Sequence, residues 1–211
     1  MKIGIMVAMD KELEMVSGLR DSQMICIKSG VGKVNAASAA TRLIIEEKPD
    51  CLISTGCAGG LATGLKPMDV VVSERTCYHD VDCGPDCVLG QIDGLPLFFD
   101  ANASLYRAAM SLKPESGSSI YGGLICSGDM FCWKREQSDS ILQRFPDALA
   151  VDMESAAIAQ VCRIYDIPFI SFRIISDTND KDDRVDDYLN FWDEAAGRSF
   201  DLLRQFTDSL L

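Results

Sequence analysis

The sequence points to an α/β fold around a largely parallel or mixed sheet, and three observations carry that expectation. Short, nearly continuous apolar runs recur along the 211 residues, as strands buried on both faces require. Segments with helical spacing separate most of them, so strands and helices alternate. The carboxyl ends of the apolar runs collect glycines and acids, and in such folds ligands gather at those ends.

The elements follow in order. "KIGIMVA" (2–8) reads as the first strand, and the acids and lysine of "MDKELEMVSGLR" open a helix. "MICIKSG" is a second strand ending at Gly30, followed by the Ala-rich helix "GKVNAASAATRLIIEEKP", which Pro49 stops. "DCLISTGCAGG" is a strand running into a glycine-rich loop, and "MDVVVSERTCY" is another strand. After an irregular stretch come a helix near 103–112, the strand "YGGLICSGD", a helix over 135–144, the strand opening "ALAVDMESAA", a helix over 153–165 and a strand over 167–176. Trp192, Ala195, Ser199, Leu202, Leu203, Phe206 and Leu210 recur at helical spacing and predict one amphipathic closing helix. No repeat, low-complexity segment or linker interrupts the chain, so a single domain over 1–211 is expected.

Composition limits the function classes. With 47% hydrophobic and 25% charged residues the chain can bury a sizeable core. Its formal charge of −12 argues against a sequence-independent grip on nucleic acid, which needs Lys and Arg to replace counterions. The first apolar stretch is only about six residues long, too short for a signal-peptide core or a membrane span, so a cytoplasmic protein without membrane contact is expected. Nine cysteines, an odd number scattered through apolar stretches, read as buried thiols rather than a disulfide framework. Cys77, His79, Cys83 and Cys87 are zinc-type ligands, but their spacing lacks the paired C-x-x-C pattern, so no metal is expected.

The strand ends hold the candidate chemistry. "SGVGK" and "STGCAGG" offer backbone without Cβ atoms for close approach to a ligand, but match neither G-x-x-x-x-G-K-[ST] nor G-x-G-x-x-G; tight turns would explain them equally. Glu12 and Glu154 lie near helix starts, where the macrodipole favours an acid whatever the function. Asp177 ends a very apolar strand before "TNDKDDRVDD", which reads as a solvated acidic turn without a calcium-loop pattern. The residues alone thus give a pocket with three acids and several glycine turns.

The segments "MKIGIMVAMDKELE", "KSGVGKVNAA", "STGCAGGL", "YHDVD", "SGDMF", "FPDALAVDMESAAIAQVC" and "FRIISD" together resemble the methylthioadenosine/S-adenosylhomocysteine nucleosidases, in the purine nucleoside phosphorylase family with its three-layer α/β/α fold and mixed sheet. The likeness runs in order from residue 1 to about 177. It implies that Glu12 activates the attacking water and that Asp177 delivers a proton to N7 of the purine. Glu154 would hold the ribose hydroxyls, with Met153 beneath the sugar. Phe131 would stack on the base, whose edge is read by main chain at Cys132. Arg173 and Ser176 would help hold the water and orient Asp177, while Met9, Val31, Cys57, Ala58 and Gly59 would line the pocket. Asp152 matches an acid without a transferred role and is expected to point away. No cofactor is implied. The implied assembly is a homodimer whose subunits cover each other's 5′ pockets, with "GQIDGLPLFF" at that edge or in the core.

Such chemistry is coherent. Breaking an N-glycosidic bond builds positive charge on ribose and negative charge on the base, so one acid must keep its proton and another must be ionised. A phosphorylase would need arginines around an anion, whereas "AMDKELE" puts Glu12 after the first strand, which suits water. Departures bear on the substrate. A hairpin is missing between the first helix and "CIKSG", "CGPDCVLGQIDG" replaces an aromatic-rich segment, Cys57 stands for a usual serine, and Tyr188 is the candidate for a closing phenylalanine. Phosphorolysis, hydrolysis of another nucleoside (futalosine-type or 5′-deoxyadenosine) and binding without turnover remain alternatives.

Overall fold

The structure is a computed structural model that describes residues 1–19, 22–114, 117–180, 184–195 and 200–211. Among the described residues eight strands form one mixed sheet: β1 (Ile3–Val7), β2 (Met24–Lys28), β3 (Cys51–Gly60), β4 (Val70–Tyr78), β5 (Phe99–Asp100), β6 (Ile120–Ser127), β7 (Ala148–Asp152) and β8 (Phe169–Thr178). Seven helical spans among the described residues accompany them: α1 (Asp10–Val16), α2 (Lys33–Glu47), α3 (Ala103–Met110), α4 (Arg135–Arg144), α5 (Ser155–Tyr165), α6 (Val185–Ala195) and α7 (Phe200–Leu210).

The strand order is β2-β1-β3-β7-β6-β4-β5, with β8 bridging β3 and β4. Pairing of β1 with β2 and β3, of β3 with β8, and of β6 with β4 and β7 is parallel; β3–β7, β4–β5 and β4–β8 are antiparallel. The circuit β3-β8-β4-β6-β7 returns to β3, so the sheet curls and the ends of β3, β7 and β8 converge.

Strand alternation explains the continuous apolar runs. Ile3, Ile5 and Val7 of β1 pack with Val16, Phe191, Leu203 and Phe206 on one face, whereas Met6 packs with Leu43, Leu52 and Ile158 beside α2 and α5 on the other. Both faces of β1 are thereby buried, and no position is left for a polar side chain. A third cluster joins Ile141 and Phe145 to Leu124, Cys126 and Val151.

Two local expectations need correction. "CLISTGCAGG" is strand throughout, because β3 stays paired with β8 from Leu52↔Phe169 to Gly60↔Thr178; its glycines leave space for side chains crossing the strand, not for a turn. The irregular stretch after β4 contains β5, whose two residues pair with Arg75 and Thr76. The closing segment is helical over α6 and α7, as expected, on either side of residues 196–199, which lie outside the described residues together with the side chain of Ala195; the Ser199 expectation falls there. Trp192, Leu202, Leu203 and Phe206 are buried as the spacing predicts, and the Phe206 ring stacks on Phe172 at 5.8 Å. Within "GQIDGLPLFF", Phe99 is core, packed edge-on against Tyr78, while Leu95, Leu97 and Phe98 are half-buried. No helix among the described residues is long and apolar enough to cross a membrane.

Candidate active site

A cavity of about 300 Å³ opens where the ends of β1, β3, β7 and β8 converge. The chain after β1 supplies Ala8, Met9 and Glu12, and β3 supplies Cys57, Ala58 and Gly59. The loop after β6 contributes Met130, Phe131 and Cys132, and the end of β7 contributes Val151, Asp152, Met153 and Glu154. Val31, Ser176, Asp177 and Tyr188 complete the wall.

Glu12 is placed by backbone. Met9 is the N-cap of α1, so Glu12, three residues on, folds back over the helix start. Its Oε2 accepts from the amides of Ala8 (2.8 Å) and Met9 (3.0 Å), and its Oε1 accepts from the Cys57 amide (3.0 Å). The third bond ties α1 to β3 and goes beyond helix capping. Gly56 makes this approach possible: its φ is +131°, and a Cβ there would lie 2.2 Å from Glu12 Oε1.

Glu154 occupies the N-cap position of α5 but caps nothing with its side chain. Its Oε1 instead accepts from the Gly32 amide at 2.9 Å, drawing the "SGVGK" turn over the cavity. Burial pushes its carboxyl up to about 7; Arg173 and the Gly32 amide pull it down, and Asp152 and Glu12 push it further up.

Arg173, expected among the substrate contacts, lies behind the cavity wall and is not a lining residue. Its fully buried guanidinium pairs with Asp152 (Nε to Oδ2, 2.8 Å), donates to Ser54 Oγ (2.7 Å) and the Thr55 carbonyl (3.2 Å), and stands 3.9 Å from Glu154 Oε2. The β-strand period explains the displacement, since Arg173 and Ser171 point to the side where Ser155 closes a polar cluster. Asp152 does touch the cavity wall, but its carboxylate is turned into that cluster, where it takes hydrogen bonds from Ser127 (2.5 Å), Ser155 and Arg173. It thereby forms a buried ion pair with Arg173.

Asp177 is only 3% exposed and is held by side chains. Ser176 Oγ donates to Oδ1 at 2.6 Å, and Nη1 of Arg184 stands 3.2 Å from Oδ2. Burial raises its affinity for a proton above the ordinary aspartate value; Ser176 and Arg184 work against that rise and Asp187 adds to it. Cys57 is half-buried; desolvation and the neighbouring Glu12 push its thiol well above the ordinary range, so it faces the cavity as a neutral thiol.

The rim is apolar. Phe131 is 45% exposed and meets Tyr188 edge-on at 5.2 Å, while the Tyr188 hydroxyl reaches Met9 Sδ at 3.7 Å. Every sequence-predicted site residue except Arg173 lines this one cavity. Sequence reasoning missed Ala8, Met130 and Val151, which are neighbours of predicted positions, and Arg184. The solvated-turn reading fails at Arg184, which is 1% exposed; the signal was a cation among acids seven residues after Asp177. Residues 181–183 of that turn lie outside the described residues. Of the zinc-type quartet, Cys77 and His79 are buried and Cys83 is exposed; no metal-binding group of three or more His, Cys, Asp or Glu side chains occurs among the described residues.

Comparison with known proteins extends the geometry. The phosphorylase superfamily model matches residues 2–208. A 5′-methylthioadenosine/S-adenosylhomocysteine nucleosidase of Haemophilus influenzae (strain PittGG) is 38% identical, with 85% of this chain and 87% of that protein covered. The Streptococcus pneumoniae nucleosidase solved with the transition-state inhibitor MT-ImmA superposes with a TM-score of 0.90 at 31% identity, covering 100% of both chains. The Colwellia psychrerythraea 34H enzyme in complex with adenine gives 0.91 at 31% identity, covering 100% of this chain and 96% of the other. The chain therefore belongs to the phosphorylase superfamily, in the family of the 5′-methylthioadenosine/S-adenosylhomocysteine nucleosidases.

Proposed function

We propose that the protein hydrolyses the N-glycosidic bond of a 5′-substituted adenosine, methylthioadenosine or S-adenosylhomocysteine, and releases adenine. The observation that carries this reading is that Glu12, Glu154 and Asp177 line one small cavity whose described walls hold no Lys or Arg. Water suits such a site as nucleophile and phosphate does not, because an entering phosphate would meet carboxylates without a cation to pair with. The names of the relatives, and the adenine and inhibitor bound in the two solved neighbours, support the same substrate class.

In the proposed reaction Glu12, whose three amide contacts are all donors and so match an ionised carboxylate, takes a proton from water as it attacks C1′. Glu154 accepts hydrogen bonds from the ribose hydroxyls and offsets the growing positive charge. Phe131 and Tyr188 cover the base, with Cys132 at its edge. As C1′–N9 breaks, its electron pair goes to the purine and Asp177 gives its proton to N7. A binder without turnover has no use for a buried acid kept ready to donate a proton. No organic cofactor or metal enters this scheme. A cytoplasmic homodimer is part of the proposal: no described residue between 79 and 98 lines the cavity, which leaves the 5′ end for a partner copy to cover.

The test is adenine release from a panel of 5′-substituted adenosines, with and without phosphate. The proposal expects fastest release from the thioether nucleosides, no dependence on phosphate, and loss in Asp177→Asn. A phosphate requirement, or equal release by Asp177→Asn, would overturn it.

A further inference from the structure

Arg184 is a buried ionic group that the proposed chemistry leaves unused. It sits just before α6, behind the cavity wall, and its guanidinium joins three parts of the site. Nη1 stands 3.2 Å from Asp177 Oδ2 and donates to the Gly60 carbonyl at 3.2 Å; Nη2 donates to the Cys132 carbonyl at 2.8 Å and to Ser138 Oγ. Its Nε is buried without a partner among the described residues, an expense that satisfying structure alone would avoid. Asp177 is its ion-pair partner among the described residues. One residue thus grips the acid on β8, the end of β3, the main chain beside the base-stacking Phe131, and the start of the helix that carries Tyr188.

We propose that Arg184 is a positioning residue for the departure of the base: it aims the Asp177 carboxyl and neutralises the carboxylate left when the proton has passed to N7. The inference rests on the proposed role of Asp177. Before the bond breaks, Asp177 is a neutral acid and the nearby cation stabilises it little. Afterwards it is an anion 3.2 Å from a fixed guanidinium, so the contact strengthens along the reaction, which is the condition for accelerating it. The same cation keeps a buried acid from holding its proton too tightly to surrender it.

Several groups face Asp177: Ser176 on β8, Asp187 and Tyr188 on α6, and Cys132 after β6. Burial pushes the Cys132 thiol up to about 11 and the Tyr188 phenol up to about 12, so neither titrates near neutrality, and Asp187 opposes Arg184 in sign. Glu154, at about 7, must be ionised to accept from ribose and shapes the acidic limb of the pH profile. Asp177 must be protonated and shapes the alkaline limb, where activity falls as pH rises.

The test is kcat/KM for adenine release against pH in wild type, Arg184→Met, Arg184→Lys and Asp177→Asn, each checked for folding by circular dichroism. With the cation gone, the alkaline limb of Arg184→Met should move up by about one pH unit or more, kcat should fall at least about tenfold below that limb, and the acidic limb should stay. Arg184→Lys should restore the limb. As a second measurement, independent of whether Arg184→Met folds, the guanidinium 15N resonances of Arg184 in wild type should titrate with the alkaline limb and stop doing so in Asp177→Asn. An unmoved limb in a folded Arg184→Met, or guanidinium resonances that ignore pH, would overturn the inference while leaving Asp177 as the acid. Full activity in Asp177→Asn would instead overturn the underlying reading.

Discussion

Two carboxylates share the cavity and are held by opposite means. Glu12 is fixed by three main-chain amides, just after β1, at the start of α1 and on β3. Asp177 is fixed by two side chains, Ser176 and Arg184. Backbone amides belong to the fold and cannot be exchanged by substitution, so the Glu12 end is constant wherever this chain folds. The Asp177 end is open to tuning by single changes. That division suits the proposed tasks, because the base needs one fixed acceptor geometry, whereas the acid needs a proton affinity adjusted to its leaving group.

The largest effects should come from the two acids themselves. Glu12→Gln and Asp177→Asn should each lower kcat by about 100-fold to 10,000-fold with little change in fold, measured by adenine release and circular dichroism. Next comes Gly56→Ala, which leaves both acids in place but puts a methyl group into the Glu12 carboxylate at a backbone angle unfavourable for alanine. A displacement of about 1 Å at the base should lower kcat/KM about 100-fold while the alkaline limb set by Asp177 stays. Loss of that limb in Gly56→Ala would mean that the two ends are not independent.

Glu154→Gln separates binding from stability. The folded-state carboxyl sits at about 7, above its ordinary value near 4.5, so the folded state binds this proton more tightly than the unfolded chain. Its contribution to stability is therefore present at low pH and is lost as pH rises from about 4.5 to about 7. Replacing it with the neutral amide should raise stability at pH 8 by on the order of 2 kcal/mol, with little change at pH 4, while KM for the nucleoside rises. Thermal denaturation at the two pH values reads this directly. The smallest effect belongs to the rim: Phe131→Leu should raise KM about threefold to tenfold and leave kcat within about twofold, as expected for loss of one ring contact on the base.

How much of this was legible in the sequence depends on what sets each feature. Strands such as β1, with Ile3, Ile5 and Met6 buried on alternating faces, announce themselves because every position is apolar. β5 does not, since two residues pairing with Arg75 and Thr76 leave no period to read. "STGCAGG" looked like a loop because its glycines serve neighbours distant in sequence, Glu12 above all. The cavity wall was readable from motifs in order, down to Met9, Val31 and Phe131. The orientation of Arg173 and Asp152 was not, because a polar cluster with Ser127, Ser155 and Ser171 decides it and those serines look unremarkable one at a time. Arg184 was hidden by its acidic surroundings, which suggested solvent where the fold supplies a buried carboxylate.

The most direct measurement is turnover of methylthioadenosine by wild type and Asp177→Asn in phosphate-free buffer and in phosphate, with adenine followed optically and sugar phosphate followed by 31P NMR. Free adenine formed at the same rate in both buffers, with no ribose 1-phosphate and at least a 100-fold loss in the variant, is the expected result. A 1-phosphate product, or a variant that releases adenine as fast as wild type, would contradict a hydrolase that expels its base through Asp177.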